Sequence, residues 1–249
     1  RKLGFTVSRI AKGCGVSRET AEAVLKDEGC LVGYREVDGC AGEFPSGSGY
    51  YYGVYGAGSD KWDEAEGGIA VLGSGPIRIA QGVEFDYCCV KAVEALRRRG
   101  IRAIMVNVNP ETVSTDHDIS DALYLEPLTL DDTRDVLLRE RAQGVFACFG
   151  GQTSLRLGLE LAEAGIKLFG PQAEVIDAAE DRGKFSRLLT KLNIAEPEGV
   201  DVSSVEEAKT LACRLGYPLM VRPSFVIGGV AMKAVYREEE LVEVLGEAF

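Results

Sequence analysis

From Ile69 onward, short apolar runs alternate with amphipathic stretches along the 249-residue chain. The run IAVLG predicts a buried strand. A glycine-rich turn follows it, and FDYCCVKAVEALRRRG then repeats its apolar positions at helical spacing. RAIMVN, ALYLEP, GVFACFGG and KLFG predict further strands, with helices over DDTRDVLLRERA and SLRLGLELAEAG between them. Strands alternating with helices in units of roughly 30 residues predict an α/β fold with a doubly wound parallel sheet. The pattern changes after Pro171. A helix starting near Asp181, the helix VEEAKTLACRLG, strands YPLMVRPS and AMKAVY around a glycine loop, and the helix EEELVEVLGEA predict the opening of a second, α+β domain. Residues 1 to 45 are short and helical, with Ser17 as N-cap of RETAEAVLKDE and Gly29 as its stop. Residues 46 to 66, rich in Gly, Ser and Tyr and without period, are expected to be a linker or an extended stretch laid over a neighbouring surface. The expected organisation is therefore 1–45 helical, 46–66 linker, 67–180 sheet domain and 181–249 partial α+β domain.

Charge and cysteine usage narrow the function classes. The 39 acidic against 28 basic residues give a formal charge of −11, which opposes binding to nucleic acid or an anionic membrane. No apolar stretch approaches the roughly 20 residues of a membrane-spanning helix, and RKLGFTVSRI lacks a signal-peptide core. The cysteines Cys14, Cys30, Cys40, Cys88, Cys89, Cys148 and Cys213 form no CxxC pair, and most sit in apolar runs. Reduced thiols in a cytoplasmic setting, or in an organelle if the source is eukaryotic, are the expectation.

Three local patterns suggest chemistry. IAKGCGVSRETAEAVLKDEG has helix-turn-helix spacing, but its second helix offers Glu19, Glu22, Asp27 and Glu28 against Arg18 and Lys26, which phosphate would repel. A helical packing module is the better reading. VLGSGP stands where a dinucleotide fingerprint belongs, yet Arg78 replaces the third glycine, and Asn107 and Asn109 replace the ribose-binding acid. A turn built for structure or for another ligand fits better than NAD. The third pattern, MVNVNPETVSTDHD, carries a strand straight into polar residues and holds the only histidine, His117, to which no role is assigned. Asn107 and Asn109 are expected to hold this loop's backbone by side-chain bonds.

The motifs VLGSGPIRIAQGVEFDYCCV, VNVNPETVSTDHDISDALYLEPLT, FGGQTSLRLGLELAEAGIKLFG, AAEDRGKFSRLL and YPLMVRPSFVIGGVAM occur in that order. Together they resemble the large subunit of carbamoyl phosphate synthetase, and GVEFDYCCV with RPSFVIGGVAM resembles its second homologous half. GFTVSRIAKGCGVSRETAEAVL and YREVDGCAGEF resemble the end of the helical oligomerisation domain that precedes that half. The resemblance implies a Rossmann-like pre-ATP-grasp domain, then the first part of an ATP-grasp domain. It also implies ATP-dependent phosphorylation of carbamate to carbamoyl phosphate, for arginine and pyrimidine biosynthesis.

Site residues follow from the same resemblance. Arg222, at the tip of strand YPLMV, and Arg182, at a helix start, are candidate phosphate ligands whose guanidinium forks suit phosphate oxygens. Gly228 and Gly229 let a loop bring backbone N–H groups against phosphate. Val230 departs from the family's frequent arginine, and Ala80 and Val108 depart more mildly. Carbamate is short-lived in water, so the family passes it between two active sites through an interior tunnel; Gly82, Glu84 and Glu111 match tunnel-lining positions. ATP and Mg²⁺ are the implied cofactors, with adenine and metal ligands expected beyond residue 249, leaving these residues catalytically incomplete. The implied partners are the remainder of the large subunit, a glutaminase small subunit, and carbamate, bicarbonate and ammonia as substrates of the whole enzyme. Two alternatives remain open: a nucleotide-binding module without catalysis of its own, and a helix-turn-helix regulator.

Overall fold

The computed structural model describes residues 3–45, 47–55, 67–76, 83–222 and 232–246. The chain divides into two compact units, residues 1–178 and 179–249. In the first, helices α1 (Val7–Cys14) and α2 (Arg18–Asp27) precede strands β1 (Val32–Glu36) and β2 (Tyr50–Tyr55). Then come β3 (Gly68–Leu72), α3 (Val83–Arg97), β4 (Ala103–Val106), a 3₁₀ turn (Val113–Thr115), β5 (Ala122–Tyr124) and α4 (Leu130–Arg139). Strand β6 (Ala142–Phe146), α5 (Gln152–Glu163), β7 (Leu168–Phe169) and α6 (Ala173–Glu180) follow.

Among the described residues the strands form one sheet in the order β1-β2-β5-β4-β3-β6-β7. The pairs from β2–β5 through β6–β7 are parallel, while β1 and β2 are antiparallel. The five consecutive strands from β3 onward thus follow the doubly wound order in which the chain starts centrally, runs to one edge and returns to fill the other. Side-chain alternation along the strands separates two cores. Ala70, Leu72, Ile104, Val106 and Tyr124 pack with Val136 of α4 and Leu157 and Leu161 of α5. Ile69, Val71, Ala103, Met105 and Leu123 pack with Cys89, Val93 and Leu96 of α3. Strands β3, β4 and β5 are buried throughout, which explains why they read as unbroken apolar runs.

Three sequence expectations need correction. Residues 32–36, expected within a helical tail, and 50–55, expected in a linker or an extended stretch laid over a neighbouring surface, are paired strands that extend the sheet, so the extended alternative fits the second. Five of the residues in YYYGVY are β-branched or aromatic, so strand propensity and cross-strand packing win where no alternation is visible. Helix α6 was not anticipated. Strand β6 runs from Ala142 to Phe146, beginning and ending earlier than expected, and Cys148 to Gly151 bend away toward α5.

The helix pair is as expected at its caps. Ser17 accepts from Thr20 N at 3.2 Å, and Gly29 takes a left-handed φ of 60° just past α2. Residues that could have faced DNA are used inside the unit. Arg18 pairs with Asp131 of α4, and Glu22 meets Arg134 at 3.1 Å. The same Asp131 accepts from Ser8 N and Ser8 Oγ at 3.1 and 2.9 Å, so a carboxylate from α4 caps the first turn of α1.

The second unit contains α7 (Arg182–Lys191), α8 (Val205–Leu215), β8 (Leu219–Val221), β9 (Lys233–Val235) and α9 (Glu238–Gly246). Asp181 caps α7 by accepting from Lys184 N at 2.8 Å, and Ser204 caps α8. Strands β8 and β9 pair antiparallel, and Ala208, Ala212, Val235, Leu241 and Leu245 form the core beneath them.

Candidate functional site

In doubly wound sheets, the loops beyond the carboxyl ends of the strands at the point where strand order reverses are where ligands bind. Here those loops follow β3, β4 and β6. Two glycines bring them into backbone contact. A Cβ on Gly150 would lie 2.3 Å from Gly73 O, and one on Gly73 would lie 2.3 Å from Asn107 Cγ. Gly73 and Gly150 are thus required for close packing within the protein, which supports a structural role for these two glycines; the continuation of the turn, residues 77–82, lies outside the described residues.

A buried polar network fixes the loop after β4. Asn107 is fully buried, and its Oδ1 accepts from Gly75 N at 3.1 Å and Asn109 N at 3.4 Å. Its Nδ2 donates to Ser114 Oγ at 3.1 Å and Asp86 Oδ1 at 3.3 Å. Asp86, 1% exposed at the start of α3, accepts in addition from Ser114 N, Ser114 Oγ and Thr112 Oγ1, each at 2.7 Å. Asn109 Oδ1 accepts from Glu111 N at 3.0 Å, which extends the network to the exposed end of the loop. The expectation that Asn107 and Asn109 hold this backbone is met. A carboxylate this buried is tolerable because four neutral donors and the positive end of α3 surround it. Beneath it, Cys89 Sγ donates to Leu72 O at 3.3 Å, and burial first, with the Asp86 charge second, pushes its thiol pKa up.

Asp86 is the residue that sequence reasoning passed over. On α3 it heads the stripe Cys89, Val90, Val93 and Leu96, all buried, so the signal was one acid on an otherwise apolar helix face.

The sequence-nominated residues fall in several places. Glu84 is exposed in the first turn of α3, two residues from Asp86, and Glu111 is exposed beside Thr112. The network thus ties together the two elements that carry them. Gly82 lies outside the described residues, as do Gly228, Gly229, Val230 and Ala80. Val108, with Pro76, Asn109 and Pro110, lines an open recess of about 400 Å³. His117 is an exposed side chain with Nδ1 2.9 Å from Asp118 Oδ1. In the second unit, Arg222 is exposed directly after β8, and Arg182 is exposed as the first residue of α7. Among the described residues no group of three or more His, Cys, Asp or Glu side chains is arranged to hold a metal ion. Nor is any helix among them long and apolar enough to cross a membrane.

Comparison with known proteins adds a second line. The family model for the carbamoyl phosphate synthase preATP-grasp domain matches residues 65–178, and that for the carbamoyl-phosphate synthase L chain ATP binding domain matches residues 181–249. The carbamoyl phosphate synthase large chain of Methanothermobacter thermautotrophicus is 47% identical over the whole of this chain, and that of Gemmatimonas aurantiaca is 48% identical over 97% of it. This chain spans 23% and 22% of the length of those two relatives. Among solved structures, the biotin carboxylase domain of Hydrogenobacter thermophilus 2-oxoglutarate carboxylase superposes with a TM-score of 0.54 at 24% identity, covering 72% of this chain and 40% of that one. Biotin carboxylase from Campylobacter jejuni gives 0.55 at 20% identity, covering 72% and 41%. These two likenesses are of fold. With two family models matched in succession and close relatives along its whole length, the chain belongs to the carbamoyl phosphate synthase large-chain family.

Proposed function

We propose that this chain is part of the carbamate-phosphorylating half of carbamoyl phosphate synthetase. It would use ATP to form carbamoyl phosphate for arginine and pyrimidine biosynthesis, as a cytoplasmic enzyme. The observation that carries the reading is the succession of the two matched models, pre-ATP-grasp then ATP-binding, in one chain. The proposed division is a pre-ATP-grasp domain to about residue 180 and the first part of an ATP-grasp domain thereafter, which the two-unit division at 178 supports. The remainder of the large subunit and a glutaminase small subunit are the proposed partners. Carbamate, bicarbonate and ammonia are the proposed substrates of the whole enzyme.

In this reading Arg222, Arg182, Gly228 and Gly229 serve ATP, and Gly82, Glu84 and Glu111 line the carbamate passage. Arg222 has the right setting: an exposed guanidinium anchored by a short strand, free of the packing that would bury its charge. A cation there offsets the charge that develops on the transferred phosphoryl group. Mg²⁺ would neutralise phosphate oxygens, and the described residues offer no cluster of three or more His, Cys, Asp or Glu side chains to hold it. In full-length enzyme, Arg222→Ala should slow ATP formation from ADP and carbamoyl phosphate by about 10²-fold. Bicarbonate-dependent ATP hydrolysis, which belongs to the other half, should persist. A wild-type rate of ADP phosphorylation would remove Arg222 from the site.

A further inference from the structure

The two carboxylates of the proposed passage, Glu84 and Glu111, stand on separate elements, the first turn of α3 and the loop after β4. We propose that Asp86 and Asn107 are the positioning pair of the carbamate passage. Together they lock the start of α3 to the loop after β4 and so fix, relative to each other, the two elements that carry Glu84 and Glu111. The inference rests on the reading of Gly82, Glu84 and Glu111 as passage residues.

The hydrogen-bond inventory shows why this pair has no substitute. Asp86 Oδ2 accepts from Ser114 N and Thr112 Oγ1, and Oδ1 accepts from Ser114 Oγ and Asn107 Nδ2. All the acceptor capacity of one carboxylate is used. An asparagine at position 86 fails in either orientation. Turned one way, its amide NH₂ meets Ser114 N–H, which can only donate. Turned the other way, it meets the NH₂ of Asn107. Asn107 cannot turn to suit it, because its Oδ1 is needed by Gly75 N–H and Asn109 N–H. The chain of bonds then runs without a break from the turn after β3 through Asn107 and Asn109 to Glu111 N–H. Loss of the Asp86 charge therefore frees the loop at Thr112 and Ser114, the two residues on either side of Val113, immediately after Glu111. Asp86 and Asn107 are both buried, so each acts through what it holds.

The prediction is a leak without loss of either chemical step. In full-length enzyme, Asp86→Asn should leave bicarbonate-dependent ATP hydrolysis and ATP formation from carbamoyl phosphate within about twofold of wild type. Carbamoyl phosphate formed per ATP hydrolysed should fall by about tenfold, since displacement of a positioned group by an ångström carries an effect of this order or larger. Thr112→Val and Thr112→Ser provide a milder pair if Asp86→Asn fails to fold. Only the valine variant removes the Thr112 hydroxyl, one of the two donors to Asp86 Oδ2, so it should leak and the serine variant should not. Gly82→Leu serves as the test of the passage itself and should also leak. A leak in Gly82→Leu with normal yield in Asp86→Asn and Thr112→Val would overturn the positioning role while leaving the passage intact. A normal yield in Gly82→Leu would overturn the passage and this inference with it. Loss of ATP formation in step with yield in Asp86→Asn, with Thr112→Val and Thr112→Ser alike, would make the network merely structural.

Discussion

Gly73 and Gly150 show how far a single hydrogen atom in place of a methyl group decides the turn region. A Cβ at Gly150 would sit 2.3 Å from Gly73 O and 2.6 Å from Ser154 Oγ, both far inside contact distance, and the first is backbone that cannot rotate away. Gly150→Ala should therefore destabilise the chain by about 1–3 kcal/mol, the usual cost of overpacking. Gly13→Ala, on α1 with open space around its Cβ, should be neutral or stabilise by about 0.5–1 kcal/mol. Denaturation midpoints of the two variants check this, and equal shifts would contradict it. The same region shows what the sequence could and could not disclose. Asn107 was legible because a strand ending in asparagine needs partners for its amide. Asp86 was not, because helices carry many acids, and only the fold reveals that this one faces Ser114 and not water. Arg222 was legible as a strand-tip cation, whereas Gly82 and Gly228 were reached through family motifs alone.

At the level of elements, α1 is a helix of eight residues, too short to be stable alone. It is held at its first turn by Asp131, which also takes Arg18 from α2. Asp131→Ala should remove the cap and leave Arg18 with fewer acceptors, costing on the order of 2 kcal/mol locally. Hydrogen exchange should rise across Val7–Cys14 and Arg18–Asp27 while amides of β3, β4 and β5 keep their protection. Unchanged exchange in α1 would mean that Val7, Ala11 and Ala21 hold the helix pair without help. Elements with a strong local signal were predicted well: α3, α5 and α8 have clear stripes, and Ser17 and Asp181 are ordinary caps. Strands β1 and β2 were missed because their pairing is the source of their order. Glu126, at the far end of β5, accepts from Gly53 N–H, and Tyr51 lies 5.2 Å from Tyr124, contacts that no local window contains.

Across the whole molecule, two buried tyrosines and a buried cysteine hold their protons to higher pH in the folded than in the unfolded chain. Burial, followed by nearby acidic charges, raises the pKa values of Tyr34 and Tyr124 above their ordinary 10.0, and burial raises Cys89 above 9.0. Well below pH 9 these groups are neutral both folded and unfolded, so they add no pH dependence to stability. Above it the unfolded chain ionises first and binds fewer protons, so stability must fall as pH rises. Denaturation midpoints should therefore drop from about pH 9 upward. Tyr34→Phe should take about one proton from the slope above pH 10. A slope identical to wild type would place Tyr34 outside the linkage.

The position of β2 in the sheet has a kinetic consequence during synthesis. Tyr50 pairs with Leu123 and Tyr51 with Tyr124, so the docking site for this strand is made more than seventy residues after the strand itself leaves the ribosome. At typical elongation rates of roughly 5–20 residues per second, that is a wait of several seconds. Until then the β1–β2 pair presents one open edge of an aromatic strand to other chains, and closure of so distant a pair is slow once β5 arrives. The nascent polypeptide is thus most exposed to misassembly at its tyrosine-rich stretch, and to helpers that bind such stretches, before the central sheet exists.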